Sequence, residues 1–245
     1  MAIVLITGAT SGVGKATAER FLREGWTVVA VGRREERLKE LVQAHPGKVI
    51  GLPVDVRDKS AVAKAFVGIS DSVDVLVNCA GLALGIAPAQ ECSLEDWDTM
   101  VDTNIKGLMY CTRLVLPSMV ERKCGHIINI GSIAGTYAYP GSNVYGATKG
   151  FVLQFSRALR CDVHGTGVRV TDVEPGLLET EFSSVRFKGD DKRATDLYKD
   201  AEPLVAEDIA DIVWWVNAKP ARVTITQVEV MPTTQSLASA RVYRG

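Results

Sequence analysis

The sequence predicts an α/β protein: a doubly wound, three-layer domain with a seven-stranded parallel sheet and helices on both faces of the sheet. Short runs of β-branched residues alternate with helical stretches of ten or more residues along the chain, and this alternation is typical of βαβ units. The first run is apolar without interruption, as expected for a strand that is covered on both faces. Nothing in the composition of the 245 residues resembles a linker, so we expect a single domain over residues 1–245.

The order of the elements follows from the positions of the apolar runs and the turn residues. β-branched runs predict strands over residues 3–6, 27–31, 49–54, 73–77, 126–130, 168–173 and 227–230. Apolar residues at helical spacing predict helices over residues 13–24, 35–44, 60–66, 143–164 and 207–217. A further helix is expected to begin after Ser93, where Asp96 three residues on completes a capping signal, and to continue to about residue 121.

Two stretches have no clear period. Residues 177–205 are polar, charged and weakly periodic, which predicts a mobile segment over a binding site. Residues 231–245 are expected to form a C-terminal tail that docks on another subunit.

Composition excludes several functional classes. Lys and Arg number 28 against 29 Asp and Glu, a net charge of -1, so no basic surplus indicates a nucleic acid or an anionic membrane as partner. The apolar runs are too short for a spanning helix, and the N-terminus reads as a buried strand rather than a secretory leader. Five cysteines without a C-x-x-C pair and three scattered histidines predict neither a disulfide framework nor a metal site. We therefore expect a cytoplasmic protein.

The first strand runs directly into a glycine-rich turn. Residues 7–14 read T-G-A-T-S-G-V-G and open the first predicted helix, where backbone N–H groups and the helix dipole can hold a pyrophosphate. The spacing is G-x-x-x-G-x-G, which is typical of one branch of dinucleotide-binding folds. This turn predicts cofactor contacts by Gly8, Thr10, Ser11, Gly12, Val13 and Gly14.

The end of the second predicted strand indicates which dinucleotide is bound. Arg33 and Arg34 follow Gly32 there, and a planar guanidinium matches the oxygens of a 2′-phosphate, which favours NADP(H) over NAD(H). The alternative is that both arginines are solvated and pair with Glu35 or Glu36. After the third strand, Asp55 and Val56 are candidates for the adenine contact, although Asp55 also suits ordinary turn chemistry.

The predicted catalytic group combines a strand end with one helix face. Ser132 falls just past the fifth strand, and Tyr145 and Lys149 are spaced i, i+4, so both project from one face of a helix. Free tyrosine has a pKa of about 10, so a nearby cation such as Lys149 is needed for proton transfer at neutral pH. Y-x-x-x-K alone is a weak signal, and its place downstream of the phosphate turn strengthens it.

Together these residues resemble the short-chain dehydrogenase/reductase family over the whole chain. The matching marks are T-G-x-x-x-G-x-G at residues 7–14, N-C-A-G at 78–81, Asn104, Ser132, Tyr145, Lys149, Pro175-Gly176 and Thr180. The resemblance implies a Rossmann-type fold, with Tyr145 as proton donor and acceptor and Ser132 orienting the substrate oxygen. It also implies that Lys149 lowers the pKa of Tyr145 and holds the nicotinamide ribose, and that Asn104 supports a proton-relay water.

The resemblance implies further cofactor contacts. Backbone around Asn78, Cys79, Ala80 and Gly81 would lie under the adenosine ribose, and Pro175, Gly176, Leu178 and Thr180 would lie against the nicotinamide amide. Cys79 departs from the family, which usually has asparagine there. A buried, inert cysteine is the simplest interpretation of that change.

Within the family the chain resembles a subgroup of NADP-dependent enzymes that act on small acidic substrates. These include 3-hydroxy acid dehydrogenases, which oxidise serine or allo-threonine and reduce malonic semialdehyde, and sulfoacetaldehyde reductases. Arg186 and Arg193, with Lys188, could clamp the substrate's anionic group, or form a solvated loop that balances nearby aspartates. The resemblance also implies a homotetramer. Two rival functions are a non-catalytic NADP-binding regulator and a reductase of larger ketones or acyl-carrier-bound substrates.

Overall fold

The computed structural model describes residues 2–237 and confirms the predicted fold class. A 7-stranded parallel sheet has the order β3-β2-β1-β4-β5-β6-β7. Its strands are β1 (Ile3–Thr7), β2 (Thr27–Gly32), β3 (Val49–Pro53), β4 (Val75–Asn78), β5 (Gly125–Ile130), β6 (Val168–Pro175) and β7 (Gln227–Val230). The strand order reverses between β1 and β4, and a crevice is expected beyond the carboxyl ends of the strands at such a switch point.

Helices cover both faces of the sheet. They are α1 (Gly12–Arg23), α2 (Glu35–Ala44), α3 (Lys59–Ala65), α4 (Leu94–Val101), α5 (Leu108–Arg122), α6 (Asn143–Asp162), α7 (Phe182–Arg186), α8 (Asp191–Asp196) and α9 (Ala206–Asn217). α1, α2 and α9 bury apolar residues such as Phe21 and Val213 in one core layer. α3, α5 and α6 bury residues such as Val115 and Met119 in the layer on the opposite face. This arrangement accounts for the fully apolar strands, since β1 has no face open to water.

The long helix predicted after Ser93 is divided into three parts. The capping prediction is confirmed, because the Ser93 hydroxyl accepts a hydrogen bond from the Asp96 backbone N–H at 3.4 Å. Between α4 and α5, however, the residues Asp102–Gly107 form a π-helical segment, in which each backbone hydrogen bond spans one more residue than in an α-helix. The apolar periodicity does not reveal this insertion, because both flanking helices bury an apolar face.

The segment over residues 177–205 has more structure than its weak periodicity predicts. It contains the short helices α7 and α8, and Leu178 pairs with Leu204 in an isolated parallel bridge. The Tyr198 hydroxyl donates a hydrogen bond to the Leu178 carbonyl at 2.9 Å, which ties the two ends of the segment together. Its mobility stays a prediction.

The predicted C-terminal tail is described in part. The Gln235 side-chain oxygen accepts a hydrogen bond from the Leu177 backbone N–H at 2.6 Å, so residues 231–237 run beside the end of β6. Residues 238–245, on which the predicted docking to another subunit depends, lie outside the described residues. In the part of the chain from residue 2 to residue 237, no helix is both long enough and apolar enough to cross a membrane.

Candidate active site

A cavity of about 470 Å³ opens at the carboxyl ends of the strands. Its wall is made of the residues that directly follow β1 to β6, together with α7 and the first half of α6. The cavity brings together the predicted site residues, with the exception of Asn78, Asn104 and Arg193. Residues far apart in the chain meet here because parallel strands present their carboxyl ends at one edge of the sheet.

The glycine turn forms a cradle that only glycine fits. Gly8 and Gly12 have positive φ angles of 72° and 48°, and a Cβ on Gly8 would lie 3.0 Å from the backbone of Ala80. A Cβ on Gly14 would meet the carbonyl oxygen of Gly8. The side chain of Ser11 precedes α1 without capping it, and the first turn of the helix has no acidic residue. The free N–H groups of that turn therefore suit an anionic group of a dinucleotide.

Arg34 lies across the glycine turn. Its Nε donates to the Thr10 hydroxyl at 3.1 Å, and its Nη1 lies 2.7 Å from a carboxylate oxygen of Glu181. Glu35 and Glu36 pair with Lys39 instead, at 3.2 and 3.0 Å. Arg34 therefore has Glu181, rather than Glu35 or Glu36, as its carboxylate partner, and the alternative does not hold for Arg34. Arg33 lines the cavity as predicted.

A third arginine, Arg37, was missed by the sequence analysis. Its Nη1 donates to the Thr10 carbonyl at 3.1 Å and to Glu181 at 2.8 Å. The available signal was its position three residues after Arg34, which places both side chains on one side of α2. At the end of β3, the Asp55 carboxylate binds Arg57 at 2.7 Å. Burial raises the pKa of Asp55, but the hydrogen bonds from Arg57 outweigh it and hold the pKa below its usual value.

Ser132, Tyr145 and Lys149 meet at the centre of the cavity. The Ser132 hydroxyl donates to the Pro175 carbonyl at 3.4 Å, so β5 and the end of β6 position it together. Lys149 is 7% exposed, and its Nζ donates to the Ile130 carbonyl at 2.7 Å. The same Nζ lies 6.0 Å from the centroid of the Tyr145 ring. α6 thus holds the phenol and the ammonium on one face, as the i, i+4 spacing predicts.

Burial and two neighbouring side chains act on the pKa of Tyr145. Burial raises the pKa of Tyr145, while the hydrogen bond with Ser132 and the positive charge of Arg186 act in the opposite direction. Burial also lowers the pKa of Lys149, and the Asp172 carboxylate acts in the opposite direction when it is ionised. The Lys149 ammonium is bound by the Ile130 carbonyl, and its expected effect on the pKa of Tyr145 stays a prediction. Ser132 and Arg186 both favour the phenolate form of Tyr145 here.

Asn104 and Asn78 lie outside the cavity wall, and Asn104 holds the loop after β4. The Asn104 side chain accepts from the Leu82 N–H at 2.9 Å and donates to the Leu82 carbonyl at 2.8 Å and to the Thr148 hydroxyl at 3.0 Å. The Asn78 amide donates to Thr112 and Asn129 beneath the sheet edge, at 3.0 and 2.9 Å. These contacts position both side chains, while the proton-relay role of Asn104 and the cofactor contact at Asn78 stay predictions.

Cys79 lies in the cavity wall with an unreactive thiol. Burial raises the pKa of Cys79 to about 12, with a smaller opposing effect from the charge of Lys149. A thiol with such a pKa remains protonated and a poor nucleophile. The backbone N–H groups of Cys79 and Ala80 both donate to the Thr7 hydroxyl at 3.0 Å. The Thr7 hydroxyl thus fixes the backbone of both residues, and the cofactor contact expected there stays a prediction.

The two arginines predicted to hold substrate separate in the structure. Arg186 is 8% exposed; its Nε donates to the Gly85 carbonyl at 3.1 Å and its Nη2 to the Tyr139 hydroxyl at 3.0 Å. Its guanidinium carbon lies 5.6 Å from the centroid of the Tyr145 ring. Arg193 is exposed, and its guanidinium lies over the ring of Phe187 at 4.8 Å, outside the cavity wall.

Lys188 also lies away from the cavity, where its ammonium binds Asp96 at 2.7 Å. Arg186 alone among the three predicted cations therefore borders the catalytic residues. Tyr139, which the sequence analysis also missed, orients it.

The chain is similar to characterised dehydrogenases over nearly its whole length. The model of the short chain dehydrogenase family matches residues 2–191. A relative from Salmonella typhi, the NADP-dependent 3-hydroxy acid dehydrogenase YdfG, is 56% identical over 99% of this chain and 100% of its own. The serine 3-dehydrogenase of Agrobacterium fabrum is 49% identical over 98% of both chains.

Solved structures agree with these relatives. The closed form of a serine dehydrogenase complexed with NADP+ is 53% identical, with a TM-score of 0.95 over 99% of this chain and 100% of that one. A serine dehydrogenase from Escherichia coli is 49% identical, with a TM-score of 0.84 over 96% of this chain and 99% of that one. The predicted fold, enzyme class and cofactor are confirmed, because the Salmonella typhi relative is named as NADP-dependent and the closed serine dehydrogenase structure is complexed with NADP+. The chain belongs to the short-chain dehydrogenase/reductase family.

Proposed function

We propose that this oxidoreductase interconverts a small 3-hydroxy acid, such as serine or allo-threonine, and the corresponding aldehyde or ketone, with NADP(H) as cofactor. The observation that carries the proposal is the buried guanidinium of Arg186, 5.6 Å from the ring of Tyr145. In a 3-hydroxy acid the hydroxyl carbon and the carboxylate are separated by a single carbon. A guanidinium beside the ring of the proton donor would be able to hold the carboxylate of a substrate whose hydroxyl lies at Tyr145 Oη. The names of the relatives point to the same substrates.

The cavity has residues that would hold the phosphate groups of NADP(H) at one end and its nicotinamide ribose at the other. The glycine turn would take the pyrophosphate, Arg33 and Arg34 the 2′-phosphate, and Lys149 the nicotinamide ribose. Pro175, Gly176, Leu178 and Thr180, which line the cavity beyond β6, would lie against the nicotinamide amide. When bound, the nicotinamide supplies or accepts the hydride.

The protein's own part of the reaction is to position the substrate and move one proton. In the reductive direction Tyr145 Oη gives its proton to the substrate oxygen, which the Ser132 hydroxyl orients by hydrogen bonding. In the oxidative direction the phenolate takes that proton back. Arg186 would hold the carboxylate with the planar fork of its guanidinium, which fixes the substrate relative to Tyr145. Phe182, whose ring centroid is 5.7 Å from that of Tyr145, helps to exclude water.

Sulfoacetaldehyde reduction is the second candidate, since Arg186 would hold a sulfonate by the same fork. A reductase of larger ketones or acyl-carrier-bound substrates is disfavoured by the buried charge in the cavity wall, which calls for an anionic substrate group. A non-catalytic NADP-binding regulator remains the alternative of another class. It is disfavoured by the assembled Ser132, Tyr145 and Lys149, which such a regulator does not need.

Parallel assays test the proposal. NADPH oxidation is followed with malonic semialdehyde and with sulfoacetaldehyde, and NADP+ reduction with serine and allo-threonine, with NADH and NAD+ as controls. We expect turnover of malonic semialdehyde and of the hydroxy acids. Preference for sulfoacetaldehyde would favour the second candidate. If no small anion is turned over while NADPH binds, the proposed substrate class is wrong.

The Tyr145→Phe variant separates the enzyme from the regulator. It keeps the ring and loses Oη, so we expect NADPH binding by calorimetry to persist while turnover falls by at least about 1000-fold, within the range of acid–base contributions. Unchanged turnover would contradict the assigned role of Tyr145. We also propose a cytoplasmic homotetramer, in line with the resemblance, and light scattering on the full chain tests the assembly.

A further inference from the structure

The carboxylate of Glu181 is held between two guanidinium groups at the adenosine end of the cavity. One oxygen lies 2.7 Å from Arg34 Nη1, and the other lies 2.8 Å from Arg37 Nη1. Arg34 and Arg37 also contact the glycine turn through Thr10, at 3.1 Å each. Glu181 immediately precedes α7, the helix that carries Arg186. The ion pairs therefore join the start of α2 to the segment that bears the substrate-binding cation.

The carboxylate of Glu181 binds guanidinium donors that would also suit a phosphate group. An arginine fork binds carboxylate and phosphate oxygens with the same geometry, so Glu181 and a 2′-phosphate would compete for the same donors. Burial raises the pKa of Glu181, but the hydrogen bonds from Arg34 and Arg37 outweigh it and keep the pKa below its usual value. The carboxylate is thus charged at neutral pH and repels an incoming phosphate.

We propose that Glu181 is a specificity-determining residue that occupies Arg34 and Arg37 until the 2′-phosphate of the cofactor displaces it. This inference rests on the proposed NADP(H) site. NAD(H) has no 2′-phosphate and would leave the Glu181 contacts in place. Glu181 therefore lowers the affinity for the phosphorylated cofactor without affecting the other. It also makes the attachment of α7 depend on which cofactor is bound.

The size of the effect follows from exposure. The side chains of Arg34 and Glu181 are 44% and 50% exposed, and that of Arg37 is 42% exposed. Ion pairs at such exposure contribute little individually, so we expect removal of the carboxylate to tighten binding of the 2′-phosphate by about 3- to 10-fold.

Calorimetry on the full chain tests this with fragments that lack the nicotinamide. Adenosine 2′,5′-bisphosphate carries the 2′-phosphate, and adenosine 5′-monophosphate does not. The variant is Glu181→Gln, and the matched control is Glu179→Gln, which removes the same charge from an exposed side chain two residues earlier. We expect Glu181→Gln to bind the bisphosphate about 3- to 10-fold more tightly and the monophosphate as the parent does. Glu179→Gln should match the parent for both.

The calorimetry distinguishes a failure of the NADP(H) assignment from a failure of the role proposed for Glu181. If the parent protein binds the bisphosphate no better than the monophosphate, the NADP(H) assignment fails, and the inference with it. If the parent prefers the bisphosphate but Glu181→Gln binds it equally or more weakly, the inference alone is overturned. Equal tightening by Glu179→Gln would also overturn it, because the effect would then be one of net charge.

Hydrogen exchange gives a second readout that does not depend on affinity. Saturating bisphosphate should increase the exchange of the α7 amides in the parent, because the contact to α2 is lost. The same addition should leave exchange in Glu181→Gln unchanged, since that variant has no ion pair to lose. Unchanged exchange in the parent would overturn the attachment of α7 through Glu181.

Discussion

Replacement of Arg186 with methionine should separate recognition of the substrate's anion from proton transfer at Tyr145. Methionine keeps an unbranched side chain that fills much of the same space and removes the charge. In the structure the guanidinium has five N–H donors, and the bonds to Gly85 and Tyr139 use two of them. A fork of the kind that carboxylates accept is therefore placed beside the catalytic phenol.

The magnitude follows from the strength of charge-assisted hydrogen bonds. Such bonds contribute about 1.5–3 kcal/mol each, so we take about 3 kcal/mol as the loss for the substrate anion. Because about 1.4 kcal/mol corresponds to a factor of ten, kcat/KM for malonic semialdehyde should fall by roughly 100-fold. The two bonds to Gly85 and Tyr139 are lost as well, which should lower the free energy of unfolding by about 1–3 kcal/mol.

The assay compares malonic semialdehyde with propanal, an uncharged aldehyde of the same carbon count. We expect Arg186→Met to lower kcat/KM for propanal by less than about 5-fold at its own pH optimum, because propanal makes no ionic contact. Arg193→Met is the matched control, since Arg193 is exposed and lies outside the cavity wall. It should leave both substrates unaffected.

The pH profile provides an independent check. Arg186 lowers the pKa of Tyr145, so Arg186→Met should shift the profile of the oxidative reaction to higher pH. Equal losses for malonic semialdehyde and propanal would refute the role of Arg186 in anion binding. So would a loss with Arg193→Met as large as that with Arg186→Met.

Three further predictions concern the catalytic hydroxyl, the glycine turn and a buried carboxylate. Oxidation requires the phenolate of Tyr145, so its rate should rise with pH. Ser132→Ala removes a hydrogen bond that lowers the pKa of Tyr145, so the midpoint of the plot of kcat against pH should move to higher pH. An unchanged midpoint would contradict the role of Ser132. Gly14→Ala places a Cβ against the carbonyl oxygen of Gly8 and should weaken NADPH binding about tenfold by calorimetry, as expected for about 1–3 kcal/mol of overpacking; unchanged affinity would show that the turn can widen. Burial raises the pKa of Asp172, so the folded chain keeps a proton that the unfolded chain releases above about pH 4. The contribution of this group to the free energy of unfolding therefore falls as the pH rises above that value. Asp172→Asn should flatten that dependence by up to about 1.4 kcal/mol per pH unit in urea unfolding, and parallel curves for parent and variant would contradict the assignment.

The sequence predicts those parts of the site that depend on short-range spacing. Each of these parts lies within a short stretch of sequence: the glycine turn covers residues 7–14, and Tyr145 and Lys149 are four positions apart. The strand ends place both at one edge of the sheet. Their assembly therefore follows from local periodicity and the topology of a parallel sheet.

Contacts between distant segments are not predictable in this way. The ion pair of Arg37 with Glu181 joins residues that are 144 positions apart, and no periodic pattern connects them. Arg186 and Arg193 are chemically equivalent in the sequence, and only the packing of α7 and α8 separates a buried cation from a solvated one. The contact that fixes Lys149 is of the same kind, because Lys149 lies on α6 and the Ile130 carbonyl that accepts its hydrogen bond lies at the end of β5.

The π-helical segment Asp102–Gly107 fixes the number of residues between α4 and α5, because contacts on both sides of the segment depend on it. Asn104, within the segment, holds the backbone of Leu82, and a Cβ on Gly107 would lie 2.7 Å from Val56. Deleting one residue would rotate one side of the helix by about 100° relative to the other. Either Asn104 would leave Leu82, or Val115 and Met119 would turn out of the core. Insertions and deletions between Ser93 and β5 should therefore be excluded during divergence, even where single substitutions are accepted.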